Sequence, residues 1–151
     1  MLVDVHTHFF KYPEHFTDDF RNQARRARTG VEIDLTVRWD EYQATGKQCD
    51  KTIVFGGKAK LSGLWVPDTD VAAYARQHPD KLIPFLSVDP TQPGWQEELI
   101  QGHQDLNMKG IKLLSMYAGF KPNEPKLDYL WEYATKHRLP VLLHTGTTFI
   151  D

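Results

Sequence analysis

Short apolar runs alternate with amphipathic stretches along the whole chain. Five runs are continuously apolar and are predicted as strands, at residues 2–5, 51–55, 82–88, 110–114 and 141–143. Between them, apolar side chains recur at spacings of three and four, which predicts helices near 14–28, 36–45, 95–103 and from about 68 and 123 onward. Continuously apolar strands are typical of parallel sheets covered on both faces. The pattern therefore predicts a parallel α/β sheet with right-handed crossovers.

Histidines stand at the ends of the first and the last predicted strands. His6 and His8 follow the first run, and His144 closes the last one. Residues i and i+2 of a strand share a face, so His6 and His8 should project together. Imidazole is a common ligand of Zn²⁺, and a catalytic zinc site takes about three protein ligands and an open position for water. The three histidines predict a metal site at the mouth of a parallel barrel. The alternative is strand-end histidines hydrogen-bonded to loop carbonyls.

Chain length decides how much of a barrel to expect. A complete eight-stranded barrel takes about 250 residues, whereas this chain has 151. We therefore expect a (β/α)8 TIM-barrel type of fold, truncated to about its first five βα units, with residues 1–151 as the N-terminal part of a single barrel domain. A self-sufficient open α/β sheet is the alternative.

Composition excludes several classes of protein. The formal net charge of −2 gives no broad attraction to nucleic acid or anionic membranes, and no apolar stretch approaches the length of a membrane span. The lone cysteine, Cys49, excludes an internal disulfide and fits a reducing compartment. Because the N-terminus shows no signal-peptide pattern, a cytoplasmic location is expected.

The basic run Arg21–Arg28 is predicted to be a solvated helix face. The four remaining histidines are assigned to helices or their ends: His15, His78, His103 and His137.

Three segments together resemble the amidohydrolase superfamily. They are Asp4–His8, Lys109–Leu113 and Leu139–Gly146. The similarity is to the amidohydrolase-related branch, which contains metal-dependent hydrolases and nonoxidative decarboxylases such as aminocarboxymuconate-semialdehyde decarboxylase. The resemblance implies that His6, His8 and His144 ligate one divalent metal ion, with Zn²⁺ the expected ion. It also implies a histidine after strand six and an aspartate after strand eight, positions that this sequence does not contain.

Lys112 lies in the strand-four segment and is predicted to face the barrel interior. An interior lysine needs a partner, and Asp4 is a plausible one. One interpretation is a structural ion pair; the other is a cation that holds a substrate carboxylate or polarises a carbonyl. The resemblance adds a further role, because in binuclear members a strand-four lysine can be carboxylated to bridge two metals.

The sequence thus predicts a metal-dependent hydrolase that acts on a small molecule through a metal-activated water. One alternative is a nonoxidative decarboxylase of the same branch. Another is a catalytically incomplete fragment that behaves mainly through association, since free edges on the first and fifth strands favour pairing with another chain. The expected partners are a small-molecule substrate and either a second copy or C-terminal barrel material, with no nucleic acid and no membrane.

Overall fold

The computed structural model describes residues 1–148 and residue 150. Its strands are β1 (Val3–His8), β2 (Lys51–Phe55), β3 (Lys58–Ala59), β4 (Leu64–Trp65), β5 (Leu82–Pro84), β6 (Leu86–Ser87), β7 (Ile111–Leu113) and β8 (Val141–Leu143). Its α-helices are α1 (Asp18–Ala27), α2 (Trp39–Thr45), α3 (Asp68–Gln77), α4 (Trp95–Gln104), α5 (Ser115–Ala118) and α6 (Asp128–His137). Single 3₁₀ turns cover Lys60–Ser62 and Pro125–Leu127.

The barrel strands are parallel and follow one another in chain order. β1 pairs with β2 and β2 with β5, while β6 pairs with β7 and β7 with β8. Helices cover this sheet between successive strands, as in a (β/α)8 barrel. The prediction of a TIM-barrel type of fold with about five βα units is therefore confirmed.

The third barrel strand is divided at Phe85, where the prediction had a single strand over 82–88. The Phe85 amide donates to the Val54 carbonyl at 2.9 Å, and the Leu86 amide donates to the Gly110 carbonyl at 2.9 Å. The chain therefore changes its hydrogen-bonding partner from one neighbouring strand to the other at this point. A side chain at Gly110 would overlap the Phe85 ring, which explains the glycine immediately before β7.

Several predicted boundaries differ from the structure around the first helix. β1 extends to His8, so His6 and His8 belong to the strand itself. The helix predicted from residue 14 begins at Asp18, because Thr17 caps it by accepting a hydrogen bond from the Phe20 amide at 3.3 Å. The segment between β2 and α3, where the sequence predicted neither a strand nor a helix, contains the antiparallel pair β3–β4.

The core lies on both faces of the sheet. In β7, Ile111, Lys112 and Leu113 are all 0 % exposed. Helical residues such as Leu99 and Leu130 are fully buried against the strands. Burial on both faces is the physical reason for the continuously apolar strand pattern. No helix in the described part of the chain is both long and apolar enough to cross a membrane.

Candidate metal centre

All three predicted ligands line one cavity at the C-terminal ends of the barrel strands. The cavity has a volume of about 210 Å³ and is lined by His6, His8 and His144. Much of its remaining wall is apolar, formed by Phe10, Phe16, Phe20, Leu35, Leu64 and Leu114. The fold therefore brings together histidines that lie more than a hundred positions apart in the sequence.

β1 presents its two histidines on an irregular stretch of strand. Asp4 lies opposite Thr52 and Thr7 opposite Val54, so β1 uses one residue more than β2 over this interval. Such irregularities re-aim side chains near functional sites. The ring centroids of His6 and His8 are 5.3 Å apart.

His8 is oriented by the loop that follows β2. Its Nδ1 lies 3.2 Å from the Gly56 carbonyl oxygen. A carbonyl only accepts, so Nδ1 carries the proton and Nε2 keeps a free lone pair. Burial lowers the pKa of His8 to about 3, against the opposing effect of the Gly56 hydrogen bond. The ring is therefore neutral near pH 7, with the hydrogen-bonded orientation typical of metal-ligating histidines.

The chemical states of His6 and His144 also suit the coordination of a metal ion. Partial burial lowers the pKa of His6, and the positive charge of Lys112 lowers it further. The Nε2 atom of His144 is buried and has no hydrogen-bond partner among the described residues. An unsatisfied buried nitrogen is costly, and a metal ion is one group that would satisfy it. These donors fit a divalent ion that prefers nitrogen ligands.

The three rings do not form a preassembled ligand set. Among the residues that the structure describes, no three His, Cys, Asp or Glu side chains are arranged to hold an ion. The expected convergence of the three imidazoles on one point is therefore not found in this structure. Aromatic neighbours hold the rings: His8 stacks on Phe10 with centroids 4.8 Å apart, and His144 meets Tyr117 edge-on at 5.3 Å.

Lys112 is buried beside the histidines without an ionic partner. Its Nζ forms no hydrogen bond with any residue that the structure describes, and it lies 4.5 Å from the centroid of the Phe55 ring. The same ring contacts His6 and His8, at centroid distances of 5.2 and 4.6 Å. Burial lowers the pKa of Lys112 to about 8. Lys112 is not among the residues that line the cavity.

The ion pair proposed between Lys112 and Asp4 is wrong. The Asp4 carboxylate instead accepts a hydrogen bond from the His6 amide at 3.0 Å. This local turn engages Asp4 within β1, so its carboxylate is not committed to the lysine three barrel strands away.

A largely buried charge cluster around Lys58 was not predicted from the sequence. Lys58 Nζ donates to Asp68 at 2.7 Å and to Glu98 at 2.8 Å. The Lys58 amide donates to Ser87 Oγ, which donates to the Lys112 carbonyl, both at 3.1 Å. The cluster ties the loop after β2 to the strand that carries Lys112. Sequence reasoning missed it because its members lie on separate elements that only the barrel brings together.

The other histidines are held outside the cavity. His15 was assigned to a helix, but it is buried before α1, where its Nδ1 accepts from the Lys11 amide at 3.0 Å and its Nε2 lies 3.3 Å from Asp70. His78 ends α3 and stacks on Trp39 at a centroid distance of 3.5 Å. Both have structural contacts that account for their positions.

Consecutive parallel βα units, with histidines at the C-terminal ends of the first and fifth barrel strands, define a TIM-barrel type of fold. The chain belongs to the amidohydrolase family, whose model matches residues 3–151. The resemblance inferred from the sequence is thereby confirmed. A comparison with curated proteins gives no match.

Solved structures show the same architecture. A 5-carboxyvanillate decarboxylase from Novosphingobium aromaticivorans is 17% identical, with a TM-score of 0.69 over 98% of this chain and 51% of its own. An uncharacterised TIM-barrel protein from Bordetella bronchiseptica is 19% identical, with a TM-score of 0.69 over 99% of this chain and 57% of its own. A 2,6-dihydroxybenzoate decarboxylase from Rhizobium is 16% identical, with a TM-score of 0.64 over 97% of this chain and 50% of its own. The chain therefore spans about half the length of these structures, and at these identities the likeness establishes the fold.

Proposed function

We propose that residues 1–151 supply the N-terminal part of a metal-dependent active site of the amidohydrolase type. In this proposal His6, His8 and His144 hold one divalent ion. The observation that carries it is that all three imidazoles line one cavity, where His8 is neutral and oriented by Gly56 and His144 has an unsatisfied buried nitrogen. Nitrogen donors suit Zn²⁺. Manganese, which the Novosphingobium decarboxylase structure contains, is the other ion to test.

Hydrolysis is the first candidate reaction. The ion, when bound, polarises a carbonyl and lowers the pKa of a water molecule. Water then adds its oxygen to the acyl carbon, and the leaving group departs with a proton. The residues of this chain would orient the substrate between apolar walls such as Phe10 and Leu114, which exclude bulk water and strengthen electrostatic interactions in the cavity.

Decarboxylation is the second candidate, and the comparisons favour it. Two of the similar structures are decarboxylases, and one of them contains a substituted nitrobenzoic acid. In this reaction the bond to the carboxyl carbon breaks, carbon dioxide leaves, and the carbon that kept the electron pair takes a proton. Phe10 and Tyr117 line the cavity and offer flat surfaces to a planar acid. The buried ammonium of Lys112 would contribute positive potential that favours an anionic substrate.

The outer strands β1 and β8 leave two open edges that a partner could cover. β1 pairs with β2 alone and β8 with β7 alone within the described residues. Apolar side chains lie at the β1 edge, including Leu2 and Val5, which are 54% and 52% exposed. Open edges of this kind favour strand pairing. We propose that further barrel strands, or a second copy of the chain, cover them. Sedimentation of residues 1–151 without further barrel strands should therefore show self-association; a stable 17.5 kDa monomer would contradict this proposal.

Metal titration and turnover test the proposed function. Calorimetric titration of the apoprotein with ZnCl₂ and MnCl₂ should show one ion per chain. The metal-loaded protein should then be assayed with p-nitrophenyl acetate and 2,6-dihydroxybenzoate. Each assay is run on the chain alone and after addition of the C-terminal barrel strands of a family member. Ester cleavage would favour the hydrolase and carbon dioxide release the decarboxylase. Absence of any stoichiometric metal binding would overturn the metal-site proposal.

A further inference from the structure

The cavity has a second chemical feature on the side formed by α1. One face of this helix lines the cavity with Phe20, Arg21, Ala24 and Arg25, and Arg28, which directly follows the helix, extends that face. Their spacings of three and four place them along a single stripe of the helix. Arg25 and Arg28 are solvent-exposed, as the sequence predicted, but they belong to the same cavity wall as the histidines. The basic run is therefore part of the candidate site.

Arg21 is already neutralised by its neighbours. Its guanidinium pairs with Asp18 and lies 3.4 Å from Glu32. It also covers the Tyr12 ring at 5.8 Å, and the Tyr12 hydroxyl donates to Glu32. Glu32 is the carboxylate that lines the cavity, and these two partners already engage it.

Arg25 and Arg28 have no such compensation. Arg25 donates to the side-chain oxygen of Asn22 at 2.9 Å, which is a neutral amide. Neither arginine forms an ion pair with a carboxylate in the described part of the chain. Two guanidinium groups therefore stand uncompensated at the rim of an otherwise largely apolar cavity. A guanidinium binds a carboxylate through two parallel hydrogen bonds, which makes it a suitable receptor for such a group.

We propose that Arg25 and Arg28 bind a carboxylate of the substrate that is distinct from the group reacting near the histidines. The inference deepens the proposed function by naming the substrate class: a molecule with an apolar body and an anionic group remote from its reacting carbon. The apolar wall accommodates the body, and the arginine pair selects against neutral analogues of the same shape. Arg25 and Arg28 are thus specificity-determining residues for the proposed reaction.

Binding of a matched acid and amide tests this subsite. The probes are 4-(trifluoromethyl)benzoate and 4-(trifluoromethyl)benzamide, followed by fluorine NMR with metal-free protein at pH 7.5. They share an apolar body and differ in charge. The variant is the double substitution Arg25→Gln and Arg28→Gln. Arg76→Gln is the matched control, because Arg76 is also exposed in the last turn of a helix but does not line the cavity.

The wild-type protein should bind the acid about tenfold more tightly than the amide, as charge-assisted contacts predict. The double variant should lose that preference while its affinity for the amide stays unchanged, and Arg76→Gln should behave as wild type. Equal affinities of wild type for the two probes, or an unchanged preference in the double variant, would overturn the subsite. Zn²⁺ titration of the wild-type protein separates the two proposals: normal metal binding with no acid preference would reject the subsite alone, whereas acid preference without metal binding would reject the metal site alone.

Discussion

Replacing His8 by alanine should weaken Zn²⁺ binding by at least about 100-fold, since losing even a residue that only orients a ligand costs 10–100-fold. His8 has the most defined orientation of the three imidazoles, because its Nδ1 lies 3.2 Å from the Gly56 carbonyl oxygen. Its low pKa, which burial depresses to about 3, also means that binding an ion displaces no proton near pH 7. Competition with a chromophoric chelator measures the change in affinity.

His78→Ala is the control for this experiment. His78 stacks on Trp39 at the end of α3 and does not line the cavity, so its loss should leave zinc affinity unchanged. Circular dichroism should show that both variants remain folded. If His8→Ala retained wild-type affinity and stoichiometry, or if His78→Ala lost the same affinity, the assignment of His8 as a ligand would be wrong.

Replacing Lys112 by methionine should raise the free energy of unfolding at pH 7 by up to about 3 kcal/mol. Burial lowers the pKa of Lys112 to about 8 in the folded chain. The pKa in an unfolded chain is about 10.4, and each unit of difference corresponds to about 1.4 kcal/mol. Because folding disfavours the charged amine, the penalty is fully present below pH 8. Methionine has a similar length and carries no charge.

The pH dependence distinguishes this electrostatic penalty from simple repacking. Between about pH 8 and pH 10.4 the unfolded chain binds more protons at Lys112 than the folded chain, so wild-type stability should rise with pH relative to the variant. Urea unfolding of both proteins at pH 7, 9 and 10.5 measures this difference. The exposed Lys47 provides the control, because Lys47→Met should show no such trend. Parallel stability profiles for wild type and Lys112→Met would contradict a lowered Lys112 pKa.

A lysine that reduces stability is expected where its charge or its amine serves a function. Lys112 shares the Phe55 ring with His6 and His8, so its charge acts on the candidate metal site without contact with the cavity. The stability experiment therefore also shows over which pH range Lys112 carries its positive charge beside the histidines.

Local sequence patterns were sufficient for several elements of the barrel. β2 and β8 have the predicted limits, at Lys51–Phe55 and Val141–Leu143, and α4 begins at Trp95 as predicted. In these segments the apolar period, strand propensity and flanking turn residues all favour the same structure. The boundary of β1 was less predictable, because its polar end is held by pairing with β2: the Thr7 hydroxyl donates to the Ile53 carbonyl at 2.9 Å.

The sequence by itself determined the class of fold, the family and the three histidines at the strand ends, because these follow from periodicity and from short motifs. The tertiary structure alone decided which charges meet. Lys112 forms no ion pair with Asp4, Lys58 pairs with Asp68, and Arg25 lies in the wall of the histidine cavity. These contacts depend on how the sheet curls and how each helix packs on it. Distances between side chains on different elements are set by that packing, which no local pattern along the chain encodes.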